Sequence, residues 1–104
     1  MEQTQVNYEV TEGNLIIRLP EEVDDHNCQG IKVATEHIIN EKNIKTIIFD
    51  CSKTVFMDSS GIGILLGRYK KMKGVGGEVY IHGENTRIKK ILKMSGVYQI
   101  IKSI

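Results

Sequence analysis

The sequence predicts an α/β protein that forms a single domain over residues 1–104, with a mostly parallel mixed sheet and three covering helices. Three observations predict this fold class. Short apolar runs alternate with amphipathic segments of helical period, as in strand–helix–strand units. Strands joined through helices require right-handed crossovers, which make neighbouring strands parallel. A turn signal near the N-terminus predicts one antiparallel hairpin, so the predicted order is β β α β α β α β.

The N-terminal hairpin is predicted from two strand patterns with a turn between them. Residues 6–10 (VNYEV) alternate apolar and polar side chains, which is the period of a half-buried strand. Residues 12–14 (EGN) signal a turn, and the apolar run 15–19 follows as the second strand. Pro20 ends this strand, because proline has no N–H to donate to a neighbour.

Three further runs predict strands. Residues 44–50 contain Ile47, Ile48 and Phe49, and this β-branched and aromatic run is typical of a central, buried strand. Residues 79–81 (VYI) are predicted as the fourth strand, and the apolar segment 97–104 is predicted as an edge strand rather than a helix.

Three amphipathic segments predict helices: one over about residues 27–42, one from residue 62 to the glycines at 74–77, and one from Asn85 or Thr86 to Gly96. The residues expected to face inward are Ile31, Ala34, Ile38 and Ile39, then Ile62, Leu65, Leu66, Tyr69 and Met72, then Ile88, Ile91 and Leu92. In the second helix the basic residues Arg68, Lys70, Lys71 and Lys73 are expected mostly on the opposite side. Because only three helices are available, we expect them largely on one side of the sheet, with the other side partly open.

Composition argues against several classes of function. Fourteen basic and thirteen acidic residues give a net charge of +1, so there is no general attraction to nucleic acid or anionic membrane. The apolar runs are too short to span a bilayer and the N-terminus is polar, which predicts a soluble cytoplasmic protein. The cysteines (Cys28 and Cys51) and the histidines (His26, His37 and His82) lack metal-site spacing, so no metal is expected.

Residues 56–61 (FMDSSG) are predicted to be the working surface of the domain, where a partner docks. They follow a predicted strand at its carboxyl end, where open α/β sheets place functional loops. Asp58, Ser59 and Ser60 also directly precede a helical pattern, so they suit a helix N-cap. A serine at a helix start is exposed, and the helix dipole there tolerates a phosphate of roughly −1.5 to −2 charges. These residues therefore predict a phosphorylation switch, on either serine.

Glycines are unusually frequent at the start of the second helix. Gly61, Gly63 and Gly67 each cost about 1 kcal/mol of helix propensity relative to alanine. Close approach of the chain's own backbone, or close approach of a partner, would explain them equally well. A dinucleotide site is not supported, since the spacing is G-x-G-x-x-x-G and the glycines lie within the helical pattern.

Residues 55–70 (VFMDSSGIGILLGRYK), 76–79 (GGEV) and 94–97 (MSGV) resemble the STAS-domain anti-sigma factor antagonists. The D-S-S-G start with its G-R-Y-K continuation is most similar to the sporulation-type antagonists of the anti-sigma-F factor. The likeness runs in register from about Leu15 to Ile101.

The resemblance implies a non-enzymatic switch in sigma-factor control. The unphosphorylated antagonist would bind an anti-sigma factor that is itself an ATP-dependent serine kinase, and so free the sigma factor. The kinase would then phosphorylate the serine after the Asp of D-S-S-G, here Ser59, and the phosphoprotein would dissociate. A serine phosphatase would reset the switch. ATP would belong to the kinase, so no cofactor is expected in this chain, which we expect to be monomeric when free.

The resemblance also implies which residues contact the partner. Residues 20–24 (PEEVD) stand where the family has G-E-L-D, so Glu22 and Asp24 match while Glu21 replaces the usual glycine. Asp24 or Asp25 would otherwise serve only as the N-cap of the first helix. The predicted partner-binding residues are Glu22, Asp24, Met57, Asp58, Ser59, Ser60, Gly61 and Gly63. The family commonly has another helix after the last strand, and since this sequence stops at Ile104 we expect that helix to be absent or reduced and part of the fold more exposed.

Other functions are less well supported. A STAS-type module that binds a small molecule or nucleotide is the main alternative, because the open end of an α/β sheet is a natural ligand site. An enzyme with a serine nucleophile would need a base in reach, and only His82 is a candidate. The basic third helix has no aromatic residues for stacking on bases, which argues against nucleic acid.

Overall fold

The computed structural model describes residues 5–104 as an α/β fold. Its strands are β1 (Asn7–Thr11), β2 (Asn14–Arg18), β3 (Glu22–Val23), β4 (Thr46–Asp50), β5 (Phe56–Met57), β6 (Glu78–His82) and β7 (Lys102–Ser103). Its helices are α1 (Cys28–Glu41), α2 (Ser59–Gly74) and α3 (Thr86–Met94), and a 3-10 turn covers Val97–Gln99. Within the described residues, no helix combines the length and apolarity needed to cross a bilayer.

The main sheet has the strand order β1-β2-β4-β6-β7. Strands β1 and β2 are antiparallel, whereas every other neighbouring pair in this sheet is parallel. The hairpin turn places Glu12 at φ 52° and Gly13 at φ 83°. Positive φ at both positions suits a tight two-residue hairpin turn, and glycine reaches it without strain. The predicted mostly parallel sheet with an N-terminal hairpin is therefore confirmed.

The core lies on one face of the main sheet. Alternate residues of the strands, such as Leu15, Phe49 and Ile81, are fully buried and join one cluster with residues from all three helices. Their neighbours on the other face, such as Ile48 and Tyr80, are only half-buried. The expectation of helices on one side and a partly open second side is confirmed.

Arg68 corrects the predicted pattern of α2. It was expected on the solvent side, yet it is only 6% exposed. Its guanidinium Nη1 lies 2.8 Å from Glu36 Oε1 of α1 and donates a longer bond of 3.4 Å to Thr35 Oγ1. A charge can be buried where a partner neutralises it, so the cross-helix pair reverses the expected orientation.

Two other predictions differ from the structure. Strands β3 and β5 form a separate two-stranded parallel sheet that the sequence did not predict. Segment 97–104 was predicted as one strand, but it begins with the 3-10 turn, and only Lys102–Ser103 pair with β6. Gly96 at φ 83° starts this turn, which places the buried side chains of Val97 and Ile101 against the core.

Candidate functional site

Helix α2 begins directly after β5, and Asp58 caps it. Asp58 has an extended backbone, and its Oδ1 accepts hydrogen bonds from the amides of Ser60 at 2.8 Å and Gly61 at 3.1 Å. The carboxylate thus occupies two of the N–H groups that a helix start leaves unpaired. The predicted N-cap at this segment is confirmed, with Asp58 as the capping residue.

The two serines of the cap have different environments. Ser59 is the first residue of α2 and is exposed, whereas Ser60 is half-buried. Within residues 5–104, the Ser59 hydroxyl makes no hydrogen bond, so it is free to react. Exposure favours Ser59 over Ser60 as the accessible hydroxyl.

The loop between β3 and α1 carries Asp24. The Asp24 carboxylate accepts a bond from the His26 amide at 3.0 Å, and Asn27 Oδ1 accepts from the Asp24 amide at 3.1 Å. Asn27 Nδ2 also donates to the Glu22 carbonyl at 2.8 Å. The N-cap of α1 is Asn27, so the reading of Asp24 or Asp25 as the N-cap is wrong. The Asp24 carboxylate instead stabilises its own turn and is 24% exposed.

The β3–β5 pair brings the Asp24 loop and the serine segment together. Val23 pairs in register with Met57, and the Asp58 amide donates to the Val23 carbonyl at 3.1 Å. Because the two strands are parallel, the residues that follow them emerge at the same end. Asp24 and Asp58, the next residue on each side, are therefore neighbours.

Two of the predicted partner-binding residues lie beneath this surface. Met57 is 2% exposed, and Gly61 is buried. A Cβ on Gly61 would overlap the Met57 side chain and lie 3.0 Å from the Val23 carbonyl oxygen. Met57 and Gly61 hold the start of α2 against β3, and so support the surface instead of forming it.

Gly63 and Gly67 have no such internal reason. A Cβ at either position would meet no atom within 4 Å. Gly63 is exposed, one helical turn after Ser59, whereas Gly67 is half-buried one turn further on. Close packing within the chain therefore explains the glycine at position 61, but it does not explain Gly63 or Gly67.

Three acidic side chains lie close to Cys28 at the start of α1. Burial, together with the nearby charges of Asp58, Asp24 and Asp25, raises the pKa of the Cys28 thiol to about 11. All three carboxylates thus act on one buried group at the start of α1. Glu22 is exposed on the strand just before Asp24. A partner that docks here meets the carboxylates of Glu22, Asp24 and Asp58.

Of the two residues of β5, the predicted contact Met57 is the buried one and Phe56 is the exposed one. Met57 faces the core, while its neighbour Phe56 is 37% exposed. Phe56 lay within the predicted working surface but was not among the predicted contacts. The alternation of side chains along a strand was the signal available, since only one of two consecutive strand residues can face the core.

Comparisons with known proteins agree with this geometry. The family model of the STAS domain matches residues 5–104. The anti-sigma F factor antagonist of Paenibacillus polymyxa is 34% identical over 97 residues, which cover 93% of this chain and 83% of that relative.

Two solved structures have the same fold. The anti-sigma factor antagonist SpoIIAA in its unphosphorylated form superposes with a TM-score of 0.85 at 29% identity, over 96% of this chain and 88% of that one. The Bacillus cell fate determinant SpoIIAA in its phosphorylated form superposes with a TM-score of 0.77 at 29% identity, over 96% of this chain and 91% of that one.

Proposed function

This chain belongs to the STAS domain family and is an anti-sigma factor antagonist within it, and we propose that it binds an anti-sigma factor kinase until Ser59 is phosphorylated. The observation that carries the proposal is the exposed, unbonded Ser59 hydroxyl at the capped start of α2. The cap fixes the backbone on both sides of this hydroxyl. A kinase requires such a fixed and accessible hydroxyl, because phosphoryl transfer depends mainly on positioning.

The proposed contact surface extends from Ser59 in two directions. Across the β3–β5 pair it includes the exposed Glu22 and the partly exposed Asp24. Along α2 it includes Gly63, where the missing side chain leaves room for the partner's backbone. Asp58 and Ser60 lie at its centre as the cap and the second helical residue.

Release follows from where the phosphate would lie. The amides of Ser60 and Gly61 already donate hydrogen bonds to Asp58. These two N–H groups are therefore not available to a phosphate on Ser59. The phosphate stays at the surface, beside the Asp58 carboxylate. For transfer, the kinase must hold the terminal phosphate of ATP about 3–3.5 Å from the Ser59 oxygen. Afterwards the phosphoserine faces the remaining anionic nucleotide, and like charges at this distance weaken the complex.

The other parts of the switch lie outside this chain. The kinase supplies ATP, and a serine phosphatase regenerates the binding form by removing the phosphate. The chain acts as a regulator rather than a catalyst, and works in the cytoplasm as a monomer when free. His82 is the histidine considered as a base, and within residues 5–104 neither Ser59 nor Ser60 makes a side-chain hydrogen bond to it; its Nδ1 lies 3.0 Å from the Ile104 carbonyl oxygen.

Phosphosite mapping tests this proposal. The chain is incubated with an anti-sigma F factor and ATP, and the phosphate is located by mass spectrometry. We expect phosphate on Ser59, none on the Ser59→Ala variant, and normal incorporation into the matched Ser60→Ala variant. Phosphate on Ser60 alone would overturn the site. Absence of phosphate from a chain that still folds would favour the alternative of a ligand-binding STAS module.

A further inference from the structure

Strands β3 and β5 place one acidic and one aromatic side chain side by side on the outer surface. Glu22 pairs in register with Phe56, and both are exposed, while the next pair, Val23 and Met57, faces the core. Paired residues of neighbouring strands lie on the same face, so Glu22 and Phe56 are adjacent. Packing within the fold therefore does not explain why an aromatic side chain stands at this partly exposed position.

Hydrogen bonds fix the backbone that carries this aromatic side chain. The Glu21 carbonyl accepts hydrogen bonds from the amides of Val55 at 2.7 Å and Phe56 at 3.2 Å. Val55 is itself 46% exposed, and Glu21 is exposed. We call these four residues, Glu21, Glu22, Val55 and Phe56, the Phe56 patch. Because its backbone is already fixed, little backbone freedom remains to be lost when a partner covers it.

The position of the patch decides what covers it. Ser59 lies three positions after Phe56, so their Cα atoms are at most about 11 Å apart. A stable interface buries about 800 Å² on each partner, which corresponds to a disc of roughly 16 Å radius. A partner of ordinary interface size centred on Ser59 therefore reaches Phe56.

The charges around the patch define the chemistry of that partner. Elsewhere, Glu9 and Glu36 lie within 2.9 Å of Arg18 and Arg68, respectively. Within residues 5–104, Glu21 and Glu22 have no lysine or arginine within ion-pair distance. Unpaired carboxylates beside an apolar side chain match a surface with an apolar pocket and a cationic rim.

We propose that Phe56 is the apolar anchor of the interface, inserting into a pocket of the anti-sigma factor kinase whose rim carries arginine or lysine side chains that face Glu21 and Glu22. This inference rests on the proposed function, since the occupant is the kinase that phosphorylates Ser59. Val55 extends the apolar contact. Aromatic side chains that fill a partner's pocket carry a large share of interface affinity.

Titration of variants against an anti-sigma F factor that phosphorylates the wild-type chain tests the inference. We expect Phe56→Gln to bind at least tenfold more weakly and Phe56→Leu to remain within about threefold of wild type. The matched control is Met94→Ala, which truncates a side chain that is 79% exposed at the end of α3 and should bind as wild type does. Thermal unfolding of each variant ensures that only folded protein is compared.

Charge reversal tests the cationic rim. Glu22→Lys should slow association and reduce the salt dependence of binding, because one attraction across the interface becomes a repulsion.

Phe56→Gln binding as tightly as wild type would overturn the anchor while leaving Ser59 phosphorylation, and hence the proposed function, intact. If sedimentation showed that wild type forms a dimer which Phe56→Gln dissociates, the patch would instead serve a second copy of the chain, and the inference would be wrong.

Discussion

Gly61 at the start of α2 lies directly against Val23 at the end of β3, so close that a Cβ on Gly61 would stand 3.0 Å from the Val23 carbonyl oxygen. This contact joins the helix that carries Ser59 to the strand that precedes Asp24. The backbone atom of Val23 cannot move aside as a flexible side chain would. The relative position of the two loops therefore depends on the absence of a side chain at residue 61.

Gly61→Ala should destabilise the fold. The added methyl group overlaps Met57 and presses on the Val23 carbonyl, and overpacking of this kind costs about 1–3 kcal/mol. Urea unfolding measures the loss. The control is Gly67→Ala, which adds the same methyl group to open space in the same helix. A Gly61→Ala variant as stable as wild type would contradict the packing described for this contact.

Gly63→Ala should stabilise the fold but weaken binding of the partner. Since a Cβ there meets nothing within 4 Å, the substitution should raise the free energy of unfolding by up to about 1 kcal/mol through helix propensity. The same methyl group should weaken binding of the anti-sigma factor, because it fills the space proposed for the partner's backbone. Gly67→Ala should gain stability without losing affinity. Equal affinity of Gly63→Ala and wild type would remove Gly63 from the proposed surface.

Asp58→Ala should affect both the fold and the reaction at Ser59. Loss of an N-cap side chain costs about 0.5–2 kcal/mol, and here it also frees the helix start next to the hydroxyl that is phosphorylated. We expect slower phosphorylation in a kinase assay. Asn85→Ala is the control, because Asn85 caps α3 through a 2.8 Å bond from the Ile88 amide. If both variants slowed phosphorylation equally, the effect would reflect stability alone.

Glu36 should make stability depend on acidic pH. Hydrogen bonds from Lys71, at 2.7 Å, and Arg68 lower the pKa of Glu36 from 4.5 to about 2. The folded carboxylate thus stays ionised below pH 4.5, where that of the unfolded chain takes up a proton. Its contribution is complete above pH 4.5 and is lost as the pH falls toward 2.

The magnitude of this contribution is modest. The Glu36 side chain is 42% exposed, so screening limits it to about 1 kcal/mol. Unfolding measured at several pH values should show a shallower acid slope for Glu36→Gln than for wild type. The matched control is Glu41→Gln, which removes the charge of an exposed glutamate at the end of the same helix. Identical slopes for Glu36→Gln and wild type would show that the ion pairs do not stabilise the fold.

Local chemistry made the cap of α2 predictable. An Asp-Ser-Ser sequence before a helical pattern identifies a helix start without knowledge of the rest of the chain, and the structure has Asp58 in this role. The same holds for the turn at Glu12 and Gly13, where residue type restricts the backbone. Structural features that depend on only a few consecutive residues could therefore be predicted from the sequence.

Structural features that depend on contacts between residues far apart in the sequence were not predicted. Two-residue strands such as β3 and β5 are too short to show a period, and their pairing depends on contacts far apart in sequence. That pairing also decides that Met57 faces inward and Phe56 outward. Arg68 is buried because Glu36 lies on another helix, which the pattern within α2 cannot reveal. Family resemblance predicts Ser59 rather than Ser60 as the phosphorylated residue, and the greater exposure of Ser59 supports this independently.

The most direct test of the central claim is the affinity of an anti-sigma F factor for this chain before and after phosphorylation of Ser59. Isothermal titration would compare the unphosphorylated chain, the chain phosphorylated on Ser59, Ser59→Ala and Ser59→Asp. We predict equal affinity for the unphosphorylated chain and Ser59→Ala. We predict at least tenfold weaker binding, about 1.4 kcal/mol, for the phosphorylated chain and Ser59→Asp. Equal affinity of the phosphorylated and unphosphorylated chains would contradict the account.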